Sequence, residues 1–312
     1  MNKKKFLDVI KIVYVIAVVG GGIYYVIKNY STAIQYLSSI SIAKLLISFI
    51  LIVIMRILNV DLVQRSLILI DWKPDFKQAF SFVSISQLGK YIPGGVWQFV
   101  ARFGAYKENN ITYKDMGKSF IVENIWMVAG SFLVSLFFIF ISHPTTILQK
   151  YGAELSVTIQ MIIGGVCLVF WFLTLVIIEI IFKSKTRKPS LINVCKQFIS
   201  QTAMWVTLGA SLFCLFDQPI SFNNLFFTIG AFGLSFLIGY VAIFAPGGIG
   251  VREYIAVLLF SVMFSSTEIG IYTIVNRLLY TLAEFLLAGI ALLLNPKKQH
   301  PQDQLQRKAL SE

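Results

Sequence analysis

Charge is scarce in this chain. Of 312 residues, 27 are Lys or Arg and 15 are Asp or Glu, together 13%. Soluble domains carry about 25% charge, so a water-soluble globular fold is excluded. His143 and His300 are the only histidines, and no His/Cys cluster has the spacing of a metal site. The three cysteines, Cys167, Cys195 and Cys214, lie in or beside apolar segments without paired spacing, which argues against a disulfide framework. No G-x-x-x-x-G-K-[ST] loop is present, so ATP-driven work by this chain alone is not expected. A Gly-x-Ser-x-Gly elbow is also missing. No basic stripe with interleaved aromatics appears outside the loops, so nucleic acid is not an expected partner. No cofactor and no catalytic residue is assigned.

What is abundant is apolar sequence, 57% of the chain. Runs near 7–27, 41–60, 116–142, 157–182, 198–216 and 270–294 each approach the ~20 residues that cross a hydrocarbon core. Lys3, Lys4 and Lys5 precede the first run in the manner of a signal peptide. No small-residue cleavage site follows, so it is read as a retained helix. The net charge of +12 is concentrated in the N-terminus, the mixed region 61–115, the loop 183–197 and the tail 296–312. The alternate connections hold only Lys28, Lys150 and Arg252. By the positive-inside rule both termini are expected in the cytoplasm.

One motif occurs twice. Gly89-Lys90-Tyr91-Ile92-Pro93-Gly94-Gly95-Val96-Trp97 returns, 153 residues on, as Ile243-Phe244-Ala245-Pro246-Gly247-Gly248-Ile249-Gly250. Proline removes a backbone donor and glycine admits positive φ, so each copy should break a helix. Broken backbone at membrane depth is tolerated only where it is buried in protein or lines a cavity. The offset also carries Asp115-x-Gly117 onto Glu268-x-Gly270 and superimposes three pairs of apolar runs. The expected fold is therefore an all-α polytopic membrane protein forming a single membrane domain, 1–312. It contains two inverted repeats, about 5–150 and 157–303. About six full spans are expected, plus two Pro-Gly-Gly broken or re-entrant helix pairs, 79–92 with 95–106 and 224–244 with 249–264. That makes about eight transmembrane segments by hydropathy. Inverted repeats with discontinuous helices are a transporter architecture.

Ionisable groups inside spans are expensive and mark function by default. The candidates are Glu123 and Asn124, their repeat equivalents Asn276 and Arg277, and Glu284. Arg252 and Glu253 follow the second break, while Lys90 and Arg102 flank the first. Lys90, Arg102, Arg252 and Arg277 would offer positive charge to an anionic head group. A purely structural alternative has Glu123, Arg277 and Glu284 pairing with one another. Arg56 and Glu179 are expected to snorkel from span ends. Trp97 is expected to be an interfacial or packing residue. Pro93, Gly94, Gly95, Pro246, Gly247, Gly248 and Gly250 are assigned to the turns. Gly20-Gly21-Gly22 and Gly164-Gly165 are expected to permit close helix packing.

Gly89 through Trp97 with Arg102, and Pro246-Gly247-Gly248-Ile249-Gly250-Val251-Arg252-Glu253, resemble the two signatures of the lysylphosphatidylglycerol synthase transmembrane-region family, whose members are described as flippase-like. The resemblance covers about residues 5–295. It implies translocation of lipid, or of a lipid-linked glycan, across a bacterial cytoplasmic membrane. Anionic or polyprenyl-linked lipids would be the substrates, and envelope-biosynthesis enzymes are candidate partners. Lys90, Pro93, Gly94, Trp97, Arg102, Pro246, Gly247, Gly248, Gly250, Arg252 and Glu253 match the signatures. Bifunctional members continue into a soluble domain that transfers lysine from tRNA. No such domain is expected in the short tail, so lysyltransfer is not expected of this chain. The alternatives are a membrane subunit of a head-group-modifying enzyme and a scaffold for envelope glycan assembly.

Overall fold

A computed structural model describes residues 30–92, 97–142, 155–184, 187–217, 220–242 and 245–294, with isolated positions between 20 and 28. Among the described residues there are ten α-helices and no strand. They are α1 (Tyr30–Ser39), α2 (Ile42–Leu69), α3 (Phe76–Gln87), α4 (Trp97–Glu108), α5 (Tyr113–Ile141), α6 (Val157–Phe182), α7 (Leu191–Phe213), α8 (Phe222–Val241), α9 (Val251–Phe260) and α10 (Ser266–Leu294). Five of them, α2, α5, α6, α8 and α10, are long and apolar enough to cross a membrane. At 1.5 Å per residue they extend about 30–44 Å, which matches or exceeds a hydrocarbon core of ~30 Å. The protein is a helical, multi-pass membrane protein.

Local chemistry starts the helices where the sequence allows. Ser41, Thr112 and Ser156 each accept a backbone N–H three residues on, at the starts of α2, α5 and α6. Asp75 and Gln78 form a reciprocal capping box on α3, satisfying two of the orphan donors at that end. Asp71 and Asn110 close α2 and α4 with positive φ, a conformation that short polar side chains tolerate better than most.

Small residues decide how closely the helices approach. A Cβ on Gly209 of α7 would lie 2.3 Å from Ile229 Cα of α8, and one on Gly230 of α8 would lie 2.5 Å from the Ser135 carbonyl oxygen of α5. The Ser131 hydroxyl donates to the Gly233 carbonyl at 3.0 Å across the same contact. Such small-residue seams let membrane helices gain packing and hydrogen bonds without a hydrophobic driving force between them. The opposite faces are apolar and exposed, as on α6 at Met161, Ile162, Val169 and Phe170.

Several expected boundaries change. The second run does not stop at 60: α2 continues to Leu69, so Asp61 and Arg65 are helical and pair one turn apart at 2.8 Å. That i,i+4 pairing and the burial of Leu62, Val63, Leu67 and Leu69 carry the helix past the first charged residues. The 198–216 run becomes α7, Leu191–Phe213. It is not among the five long apolar helices, because Asn193, Lys196, Gln197 and Gln201 occupy its first half. The first member of the second expected pair, 224–244, is a 20-residue helix, α8, apolar enough to cross. Its partner α9 is only 10 residues long. The first expected span, 7–27, apart from isolated positions, the first Pro-Gly-Gly (Pro93, Gly94, Gly95), His143 and the tail 296–312 lie outside the described residues.

Candidate functional site

The two breaks differ in what is described of them. A short 3-10 turn, Leu88–Tyr91, leads into the first. Gly89 approaches the start of α4 so closely that a Cβ would meet Gln98 N at 2.5 Å. At the second, Pro246–Gly248 forms a 3-10 turn, and Gly247, Gly248 and Gly250 have φ of 59°, 70° and 84°. A Cβ on Gly248 would also lie 2.7 Å from Gly239 O. Glycine is thus required there both for its backbone angle and for its missing side chain.

Between the breaks lies a cavity of about 580 Å³, within the usual range of ligand pockets. Lys90, Arg102, Glu123, Asn124, Arg252 and Arg277 all line it, as do Gly247 and Gly248. The fold therefore gathers residues that span nearly two hundred positions of sequence. Glu253, Asn276 and Glu284 do not line the cavity, although Glu253 and Glu284 pair with Arg277 and Lys90, which do. Asn276 is fully buried and donates to Ser211 Oγ at 2.9 Å.

Glu123 and Glu284 do not pair with one another or with Arg277 as the structural alternative had it. Glu123 accepts a hydrogen bond from Arg102 Nη1, and Ser66 and Ser119 hydroxyls lie 3.0 and 3.2 Å from its Oε1. Glu284 accepts from Lys90 Nζ at 2.6 Å and from the Tyr91 hydroxyl at 2.7 Å. Arg277 donates to Glu253 Oε1 and to the Gly247 carbonyl, both at 2.9 Å. Glu253 also accepts from Gly250 N at 2.8 Å, so it braces the second turn. Helix α10 thereby holds both breaks, with Glu284 gripping the cation of the first and Arg277 the carboxylate of the second.

No family model matches this chain, and no match was found among curated proteins.

Arg56 was expected to snorkel. Instead it is 5% exposed, with Nη2 3.5 Å from Glu284 Oε1. It lines the cavity because α2 runs on past it and keeps it among helices rather than at an interface. Tyr280 is a cavity residue that the sequence reading passed over. Its ring lies 4.8 Å from Lys90 Nζ, 5.4 Å from the Arg252 guanidinium carbon and 5.7 Å from that of Arg56. Three cations share one electron-rich ring. Its position midway between Arg277 and Glu284 on α10 was the available signal, at the one-turn spacing that puts all three on one face. Tyr240 was also missed; its hydroxyl donates to Asn124 Oδ1 at 2.7 Å. Trp97 is 46% exposed and does not line the cavity.

Arg252 differs from the other cations. It is 6% exposed, and among the described residues no carboxylate lies within 4.0 Å of it and its Nη2 has no hydrogen-bond partner. Its guanidinium carbon sits 4.6 and 4.8 Å from the Phe232 and Phe236 ring centroids. Aromatic faces offset part of the desolvation of a guanidinium and leave its donors free. The cavity region thus has five cations, Arg56, Lys90, Arg102, Arg252 and Arg277, against three carboxylates, Glu123, Glu253 and Glu284.

Proposed function

We propose that the protein is a flippase-like membrane protein that receives the anionic, phosphate-bearing head group of a membrane lipid in the central cavity. The observation that carries this reading is Arg252, a buried guanidinium lining the cavity with its Nη2 unpartnered among the described residues. A buried charge is costly unless something pairs with it. A phosphate can accept from a guanidinium through two parallel bonds. The acyl chains would stay in lipid while the head group moves along the polar seam between the breaks.

An inverted repeat fits this function, and the element bounds support one. Adding 153 to α5 (113–141) gives 266–294, the bounds of α10. The same shift takes α4 (97–108) to 250–261, beside α9 (251–260), and α3 (76–87) to 229–240, within α8 (222–241). It takes α2 (42–69) to 195–222, overlapping α7 (191–213). On this reading both termini face the cytoplasm of a bacterial cell, and the chain is a relative of the lysylphosphatidylglycerol synthase transmembrane-region family.

The test is reconstitution in liposomes carrying fluorescent anionic phospholipid, a polyprenyl-phosphate sugar analogue or a zwitterionic phospholipid. Accessibility of each to an external quencher is followed for the native chain and for Arg252→Gln. The expected result is fast exposure of a phosphate-bearing anionic lipid, slowed at least tenfold by the substitution. Folded protein that exposes no anionic lipid, or a variant as fast as the native chain, would overturn the proposal.

A further inference from the structure

Away from the central cavity, unpartnered polar atoms collect along one junction. Sixteen buried side-chain N and O atoms lack a hydrogen-bond partner among the described residues, and eight of them lie where α5, α6 and α7 meet. They are the indole nitrogens of Trp126, Trp171 and Trp205, Glu179 Oε1, and both amide atoms of Gln197 and Gln201. Their spacing is helical: Gln197, Gln201 and Trp205 follow one another at one-turn intervals on α7, and Trp171 and Glu179 are two turns apart on α6. The packing brings these rows together. A Cβ on Gly130 of α5 would lie 2.9 Å from Trp171 Cη2 and 3.2 Å from Trp205 Nε1. Gly130 is thus the notch that admits both indoles.

At one end of the row a cavity of about 50 Å³ is lined by Trp126, Glu179, Gln197, Arg65 and Arg187. That space suffices for one or more water molecules. At the other end Trp205 also lines the central cavity. Glu179 was expected to snorkel, but it is 7% exposed and turned inward, with Arg187 Nη2 3.6 Å from its Oε1. The charged groups around it are Arg187 on the following loop and Arg65 on α2, itself bonded to Asp61, which also accepts from Ser200 of α7. Lys183 is turned to the Arg187 carbonyl.

We propose that this junction is a hydrated file that carries protons between Glu179 and the central cavity. Gln, Trp and Glu supply both donors and acceptors, which is what buried water needs to make its two to four bonds. A chain of hydrogen-bonded waters moves a proton by successive hops: each water accepts one on one side and releases another on the other, so no group is consumed. Glu179 is the carboxylate of the file. The Trp indoles and Gln amides orient water without themselves changing charge. The inference does not depend on which lipid, if any, the central cavity takes.

Two measurements on the full-length chain test it. X-ray radiolytic labelling in H218O marks side chains that touch bound water. The expected result is 18O on Trp126, Trp171 and Trp205, with equally buried Phe260 unlabelled; unlabelled indoles would overturn the proposal. Proteoliposomes with an entrapped pH dye then report proton uptake under a potassium-diffusion potential. Glu179→Gln and Gln201→Leu should each lower uptake to the level of protein-free vesicles. Gln201→Leu should also raise thermal stability, because it removes unpartnered polar atoms; that keeps loss of flux distinct from loss of fold. Native uptake no faster than empty vesicles, or folded variants with unchanged uptake, would refute proton conduction. Retained lipid exposure in Gln201→Leu with lost proton uptake would separate this file from the lipid site.

Discussion

Replacing Glu123 by glutamine is the sharpest perturbation of the bundle. Glu123 is 6% exposed and its partner Arg102 is 7% exposed. The substitution keeps the shape and removes the charge, leaving the Arg102 guanidinium buried without a counter-ion. Breaking a buried pair by removing one partner costs about 3–5 kcal/mol, and each 1.4 kcal/mol is a factor of ten. The folded population relative to the unfolded should fall more than a hundredfold. Replacing both residues with methionine should cost far less, because no charge is stranded. Ser66 keeps its bonds to the Val63 carbonyl at 2.7 Å and to Ser119 Oγ at 2.8 Å. Tyr106 alone loses its acceptor, a 3.4 Å contact, worth about 1 kcal/mol. The double variant is therefore expected within about 1–2 kcal/mol of the native chain on these grounds. The assay is unfolding by SDS in mixed micelles, followed by tryptophan fluorescence. A single variant that loses under ~1 kcal/mol would refute the buried-pair argument. So would a double variant no more stable than the single.

Other expectations are simpler. Gly209→Ala forces a Cβ against Ile229 Cα at 2.3 Å and should cost about 1–3 kcal/mol by overpacking in the same micelle titration. Gly104→Ala, with nothing within 4 Å of the new methyl, should be neutral or stabilising by up to ~1 kcal/mol through helix propensity. Lys44→Ala removes a pair whose Asp217 partner is 66% exposed, and it should shift stability by less than ~1 kcal/mol.

The limits of sequence reading are visible at particular residues. Apolar runs found α5, α6 and α10 nearly to their ends, because a helix in lipid satisfies its own backbone and its length follows the bilayer. The same rule misplaced the end of α2. There Asp61 and Arg65 satisfy each other one turn apart, a pairing that hydropathy cannot see. Charge inside a span pointed to Lys90, Arg102, Glu123, Arg252 and Arg277, all of which line the cavity. It undervalued Arg56 and Glu179, whose positions near expected span ends suggested snorkelling. Tyr280 carried no charge to draw notice, although it lies against three cations.

The sequence by itself determined that this is a helical membrane protein, that its backbone should break at two glycine-rich turns, and which rare charges the bilayer would make costly. Those properties depend on neighbours within a few residues and on the solvent. Only the tertiary structure decided who pairs with whom. Lys90 meets Glu284 across 194 positions of chain, and Arg252 is left among aromatic rings. Gln197 and Gln201 turn inward, Gln197 beside Glu179, rather than toward lipid. Ion pairs and buried polar atoms are set by where helix faces meet, and that depends on the close approaches permitted at Gly209, Gly230 and Gly130, a property of the packed bundle.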